Sequence, residues 1–193
     1  KDGQKVIGSK ENISCDSLGI SGGWTPAVHL FTQSGGKLKF RDDDQVFIPN
    51  TYPSNQISIG SCNGDFTLDE ILINTPKLLK EFLNIKKTEY ENIEIYSAFN
   101  KSKRNIWLLP SNKIVGKTKS FVDFQNDATA KDIKLALREG FRSIEHVKRY
   151  TTTGMGTDQG KLGNMHALGI ISETASSKMG ELGTTTFRPP YTP

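Results

Sequence analysis

Phe121-Val-Asp-Phe-Gln-Asn-Asp-Ala-Thr-Ala-Lys-Asp-Ile-Lys-Leu-Ala-Leu-Arg-Glu-Gly-Phe-Arg-Ser-Ile-Glu-His-Val-Lys-Arg-Tyr-Thr-Thr-Thr-Gly-Met-Gly-Thr-Asp-Gln-Gly-Lys161 is where the pattern of the chain turns from β-like to helical. Its opening, Phe121 to Phe124, predicts a short strand or extended lead. Thr129-Ala-Lys-Asp132 has the spacing of a capping box, with Asp in place of the usual Glu. Ile133, Ala136, Leu137 and Gly140 then recur at helical spacing, and Gly140 is placed to stop that helix. Ser143 can cap a second helix carrying Ile144 and Val147. A polar loop follows from Thr151 to Thr157. Thr157 or Asp158 can cap a third helix, with Leu162, Met165, Leu168 and Ile171 or Ser172 along one side. Ser176 or Ser177 opens a last short turn before Gly183. The reading is a small bundle of short helices.

Upstream, residues 6–79 read as β-rich with one helix at the end. Residues 17–21 are a short apolar strand candidate that runs into Gly22 and Gly23. Residues 38–40 and 46–48 flank Arg41-Asp-Asp-Asp-Gln45 and predict a hairpin with an acidic tip. Residues 50–55 are a loop by composition. Residues 56–60 are a second buried-strand candidate. Residues 66–74 have helical spacing, with Leu68, Ile71 and Leu72 on one face, and residues 78–83 can extend that helix. Between Pro76 and Ser120 the pattern weakens. Residues 93–96 and 106–109 read as strands or packed loop segments, and a domain junction belongs here. The overall class is α+β.

Hydrophobic residues make up 35% and charged residues 24% of the 193, too apolar for a disordered chain and too polar for a membrane protein. No run approaches the roughly 18 apolar residues of a spanning helix. No basic segment followed by an apolar stretch opens the chain, so no secretory signal is read there. Cys15 and Cys62 are too few and too far apart for a disulfide framework or a zinc site, and read as reduced thiols in a cytoplasmic protein. The net charge of +4 comes mainly from lysines and arginines between Lys77 and Lys119. They are scattered among acids and lack stacking aromatics, which favours a solvated face over a nucleic-acid interface. The ending Arg188-Pro-Pro-Tyr-Thr-Pro193 is extended, and both ends read as internal to a longer chain.

Two constellations carry chemistry. The first is Ser21-Gly-Gly-Trp-Thr-Pro26 with Gly60 and Gly64-Asp65. Glycine after a strand lets backbone approach a ligand closely. An aspartate at a strand end can accept from a ribose or ribityl hydroxyl, and the helix start beyond it favours a phosphate. Each piece also fits a plain turn, and the phosphate-cradling G-x-G-x-x-G is absent from the sequence. The second constellation runs from His146 to Lys161. Lys148, Arg149 and Lys161 are cationic, four threonines supply hydroxyls, and Gly154, Gly156 and Gly160 expose backbone. Together they suit a phosphate or an acidic partner surface; a capped inter-helix loop explains them as well. His29, His146 and His166 have no metal-ligand spacing, and no nucleophile–base arrangement appears, so no catalytic or metal residue is assigned.

The stretch from Phe121 to Lys161, together with Ser21-Gly-Gly-Trp-Thr-Pro-Ala-Val-His-Leu30 and Gly183-Thr-Thr-Thr-Phe-Arg-Pro-Pro-Tyr-Thr-Pro193, resembles the alpha subunits of heterotetrameric sarcosine oxidases. The resemblance implies an oxidoreductase acting on a CH–NH group. Sarcosine is oxidised with FAD in a beta subunit, electrons pass through FMN at the alpha–beta interface to oxygen, and the one-carbon unit is trapped on tetrahydrofolate. It implies that residues 1–78 close an NAD-binding domain like those of two-fold flavoprotein reductases. Residues 79–183 are then a small helical domain, and residues 184–193 a linker to a folate-binding, aminomethyltransferase-like domain. On that template Gly22, Gly23, Trp24, Thr25, Leu30, Thr32, Gly60 and Asp65 face NAD, and Thr152, Thr153, Thr157, Gln159 and Lys161 face FMN. The partners are beta, gamma and delta subunits, with no nucleic acid and no membrane. The helical layout is similar to modules related to bacterioferritin-associated ferredoxin. Those hold an iron–sulfur cluster on four cysteines, and no cysteine follows Cys62, so no cluster is expected here. The competing readings are an interaction module of a related amine dehydrogenase complex and a basic partner-docking domain without a cofactor.

Overall fold

The structure is a computed structural model that describes residue 8 and residues 11–53, 55–86, 105–109 and 119–189. Residues 11–25 carry neither helix nor strand and lie exposed. Burial begins at Pro26 and Val28, just before α1 (His29–Gln33). Phe31 is the buried anchor of α1. Its ring occupies the space that a Cβ on Gly36 would take, and it meets the Tyr52 ring edge-on at 5.0 Å.

The expected hairpin is present. β1 (Lys37–Arg41) pairs antiparallel with β2 (Val46–Thr51), in register at Phe40↔Phe47 and Arg41↔Val46. Arg41 reaches across the acidic tip to pair with Asp44, so the tip is closed by its own ion pair. The two other expected strands are not strands. Residues 17–21 are irregular, and residues 56–59 lead without pairing into a 3-10 helix (Gly60–Asn63). A strand needs a neighbour to take its backbone N–H and C=O groups, and the described residues offer neither segment one.

α2 (Leu68–Phe82) joins residues 66–74 to the expected extension over residues 78–83 in one helix that passes through Pro76. Proline removes one helical N–H and ordinarily argues for a break. Thr67 caps α2 in a capping box with Glu70. No residue of α2 is buried. The expected junction at residue 78 falls inside this helix. Residues 93–96 lie outside the described residues. Residues 105–109 form a packed bend rather than a strand: the Asn105 amide donates to the Gln45 side chain at 2.9 Å, and Trp107 and Leu108 pack on the core.

The helical unit follows the expected order. β3 (Phe121–Asp123) pairs with β4 (Ala128–Thr129), and α3 (Ala130–Arg138) starts at the Thr129–Asp132 capping box. The Thr129 hydroxyl, with help from its amide, holds the Asp132 carboxyl below the usual carboxylate range. Gly140, with φ +98°, follows the end of α3. α4 (Ile144–Thr151) begins after Ser143, whose side chain makes no capping bond. α5 (Gly163–Ala175) starts later than the threonine signal implied. Asp158 accepts the Gly160 amide instead and forms a turn, and Leu162, expected on the buried side, is 72% exposed at the N-cap. α6 (Met179–Leu182) is preceded by Lys178, not by a serine cap; Ser176 ends α5 in a left-handed conformation.

One core joins these parts. Ile133, Ala136, Val147, Leu168, Ile170 and Ile171 form its helical centre, and Phe47 of the hairpin belongs to the same cluster. Phe40 packs beside it, against Gly180 of α6. Across α5, the Trp107 indole lies where a Cβ on Gly169 would stand. Gly169→Ala adds helix propensity, by about 1 kcal/mol, but overpacks the seat of a ring, typically by about 1–3 kcal/mol. We expect a net loss of thermal stability, with the fluorescence of Trp107 shifted to the red. Unchanged melting and emission would show that the indole does not seat on α5.

Candidate functional site

The residues expected at a nucleotide divide into an outer and an inner group. Gly22, Gly23, Trp24 and Thr25 lie exposed on the irregular segment before α1. Gly23 has φ +114° with nothing near its missing Cβ, so the turn is open on its outer side. Leu30 points outward from α1. Thr32 is less free. Its hydroxyl lies 3.0 Å from the His29 carbonyl and 3.1 Å from the Phe187 carbonyl and donates within the fold.

The inner group sits where the 3-10 helix meets α2. Gly60 and Gly64 both have positive φ. The Arg41 guanidinium donates to the Gly64 carbonyl at 2.7 Å, which fastens this turn to the hairpin. Asp65 is buried. Asn74 donates to its Oδ1 at 2.9 Å, while its Oδ2 has no partner among the described residues. A buried acceptor without a donor is costly, so this oxygen calls for a donor. The start of α2 does not suit a phosphate as the sequence implied. Thr67 already caps it, and Asp69 and Glu70 place two acids in its first turn.

The polar loop between α4 and α5 is built from behind by Asp123. Asp123 Oδ1 accepts the amides of Gln125 and Asn126, each at 2.9 Å, and Oδ2 accepts the Gly154 amide at 2.7 Å. Gly154 and Gly160, both with positive φ, leave room for the Asn164 side chain, whose amide donates to the Gln159 carbonyl at 3.3 Å. Gly156 makes room for Gln125, and Gly163 for the Val122 carbonyl. These glycines therefore serve close packing within the unit.

The five expected phosphate ligands are brought onto this one loop but are not equivalent. Thr153 is buried, with its hydroxyl 2.8 Å from that of Thr151. The Gln159 side chain donates to the Gly156 carbonyl at 2.8 Å. Thr157 donates to Gln125 at 3.0 Å, and Thr152, in a left-handed conformation, donates to the Thr151 carbonyl at 2.6 Å. Lys161 alone of the five is a cation, and it is exposed. Burial lowers the His29 pKa, and the charge of Lys161 lowers it further. Asp123 and Asn164, which organise the loop, were not singled out from the sequence. The local signal was Asp123 before Gln125 and Asn126, the pattern of an Asx turn.

Among the described residues no cluster of His, Cys, Asp and Glu can hold a metal ion, and no helix is long and apolar enough to cross a membrane. Cys15 is exposed and Cys62 half-buried, both free.

Residues 117–193 match the family model described as the sarcosine oxidase A3 domain. The chain is 37% identical over 191 residues to the sarcosine oxidase subunit alpha of Rhizobium meliloti (strain 1021), covering 96% of this chain and 19% of that one. It is 34% identical over 200 aligned residues to the subunit alpha of Corynebacterium sp. (strain U-96), covering 100% of this chain and 20% of that one. The chain belongs to the sarcosine oxidase alpha-subunit family. It spans about a fifth of the length of the sarcosine oxidase alpha subunits it matches. In shape it is similar to part of the L-proline dehydrogenase of P. horikoshii, with a TM-score of 0.53 at 20% identity, covering 89% of this chain and 36% of that one. That likeness is one of fold: helices with small sheets.

Within the sarcosine oxidase A3 region, then, the loop depends on one carboxylate. Asp123→Asn keeps a single acceptor oxygen and turns an amide toward N–H groups. It should cost about 1.5–3 kcal/mol, the range for hydrogen bonds to a charged group. Hydrogen exchange at the Gly154 amide should accelerate before that of α3. Unchanged protection at Gly154 would show that the carboxylate does not hold the loop.

Proposed function

We propose that this chain is the stretch of a sarcosine oxidase alpha subunit that joins its NAD-binding region to its folate-binding region and carries the alpha side of an FMN site. The assembly would convert sarcosine, oxygen and tetrahydrofolate to glycine, hydrogen peroxide and methylenetetrahydrofolate, in the cytoplasm, with beta, gamma and delta subunits as partners. On this reading residues 1–78 complete a two-fold reductase-like domain, residues 79–183 are the small helical domain without an iron–sulfur cluster, and residues 184–193 lead onward. The chain itself contributes no catalytic residue.

The observation that carries this reading is that α1, which follows the Gly22–Gly23 turn, is tied to the helical unit through the Phe187 carbonyl, which accepts from Thr32 and Gln33. The donor chemistry fits both groups. Asp65 Oδ2 offers a buried acceptor for a ribose hydroxyl. Lys161 offers an exposed ammonium for a phosphate, with the hydroxyls of Thr152 and Thr157 on the same loop. Thr153 and Gln159 act by shaping the loop. A bound flavin would supply the electron transfer; these residues would orient it and neutralise its charge.

Exposed apolar residues support the same reading. Ile20 is 85% and Trp24 76% exposed, with Ile13 and Leu18 similarly bare. Apolar surface gathered on one segment marks an interface. The extended backbone of Ile59, without a ladder partner among the described residues, is what a sheet strand looks like without its neighbour. The rest of the subunit is the proposed cover for both.

Cofactor content of the assembled complex tests the assignment. Lys161→Ala removes one charge-assisted hydrogen bond, about 1.5–3 kcal/mol, and should weaken FMN on the order of tenfold to hundredfold while NAD stays. Gly23→Val places a branched side chain at a positive φ facing the ligand, touches no core residue, and should lower NAD while FMN stays. Full retention of both cofactors in both variants would refute the two sites.

A further inference from the structure

After α6 the chain leaves the helical unit without helix or strand, yet it is held. Phe187 is buried, and its ring meets His29 edge-on at 5.4 Å. Its carbonyl is approached by two donors from α1, the Thr32 hydroxyl at 3.1 Å and the Gln33 side-chain amide at 2.9 Å. One residue earlier, the Thr186 amide donates to the Glu145 carboxylate at 3.1 Å, in the first turn of α4. Thr185, the residue before it, is buried. Two adjacent residues, Thr186 and Phe187, thus touch two elements that are more than a hundred residues apart in sequence.

We propose that residues 184–187 form a latch that ties α1 to α4 and sets the direction in which the chain leaves this unit. The latch is read from these contacts alone and stands whether or not α1 faces a nucleotide. Its consequence is mechanical. A ligand or subunit that moves α1 also moves the Phe187 carbonyl, and with it the start of whatever follows. Thr32 and Gln33 therefore act as positioning residues. Their side chains fasten the exit segment from α1.

The test is hydrogen exchange followed by mass spectrometry on the full-length alpha subunit that contains this chain. In Thr32→Val with Gln33→Leu, both donors are lost with little change in volume. Each hydrogen bond is worth about 0.5–1.5 kcal/mol, so exchange at the Thr186 amide and its neighbours should rise about 2- to 10-fold per bond. Amides of α3 and α5 should be unaffected. Phe187→Ala should give the same local pattern more strongly, and the side-chain variant keeps the test decisive if Phe187→Ala fails to fold. Unchanged exchange at residues 184–188 in the double variant would overturn the latch. So would loosening that spreads equally into α3 and α5, because that is a general loss of stability.

Discussion

The Asp123 carboxylate and the Gly154 amide, 2.7 Å apart, hold the site together. One oxygen of Asp123 closes its own turn and the other holds the loop between α4 and α5. A buried carboxylate is tolerated only when hydrogen bonds replace the water it lost, and here three amides do so. The arrangement is demanding. Gly154 has no Cβ to strike Asn164, Gly156 gives way to Gln125, and Gly163 lets α5 approach the Val122 carbonyl. The result is a loop fixed by its back, with Lys161 on its outer face.

That construction explains why the helices could be read from the sequence and the purpose of the glycines could not. The capping box at Thr129, the stop at Gly140 and the apolar spacing of Ile133, Ala136 and Leu137 are local signals, and the structure has α3 where they predict it. The glycines of the loop look, in sequence, like room for a ligand. In the structure their missing side chains admit Asn164 and Gln125, partners that no local pattern announces. Thr157 and Asp158 misled for a related reason: a side chain that can cap a helix can equally close a turn, and Asp158 does the latter. The hairpin was legible because its tip, Asp42-Asp-Asp44, separates two apolar runs. Residues 17–21 and 56–60 read as strands because their side chains suit a sheet, but pairing is a property of neighbours and not of the segment. The turn at Asp65 ahead of α2 was legible in the sequence; that its Oδ2 has no partner among the described residues follows only from the packing around it.

A segment that spans about a fifth of its relatives' length can still have a core of its own. Ile133, Leu168 and Ile171 supply one, and Phe47 attaches the hairpin to it. What the segment does not cover is the face formed by residues 11–25, where Leu18, Ile20 and Trp24 stand in solvent. Burying a side chain of that size is worth about 1.5–3 kcal/mol, enough for several together to hold a domain contact. We propose that the rest of the alpha subunit covers this face and completes the site there.

Cys15 lies in that segment and reports on it directly. The measurement is the alkylation rate of Cys15 in the native full-length subunit, relative to the denatured subunit, followed by peptide mass spectrometry. The native thiol should react many times more slowly, because the covering surface shields residues 11–25. A Cys15 that reacts as fast in the native subunit as in the denatured one would contradict it.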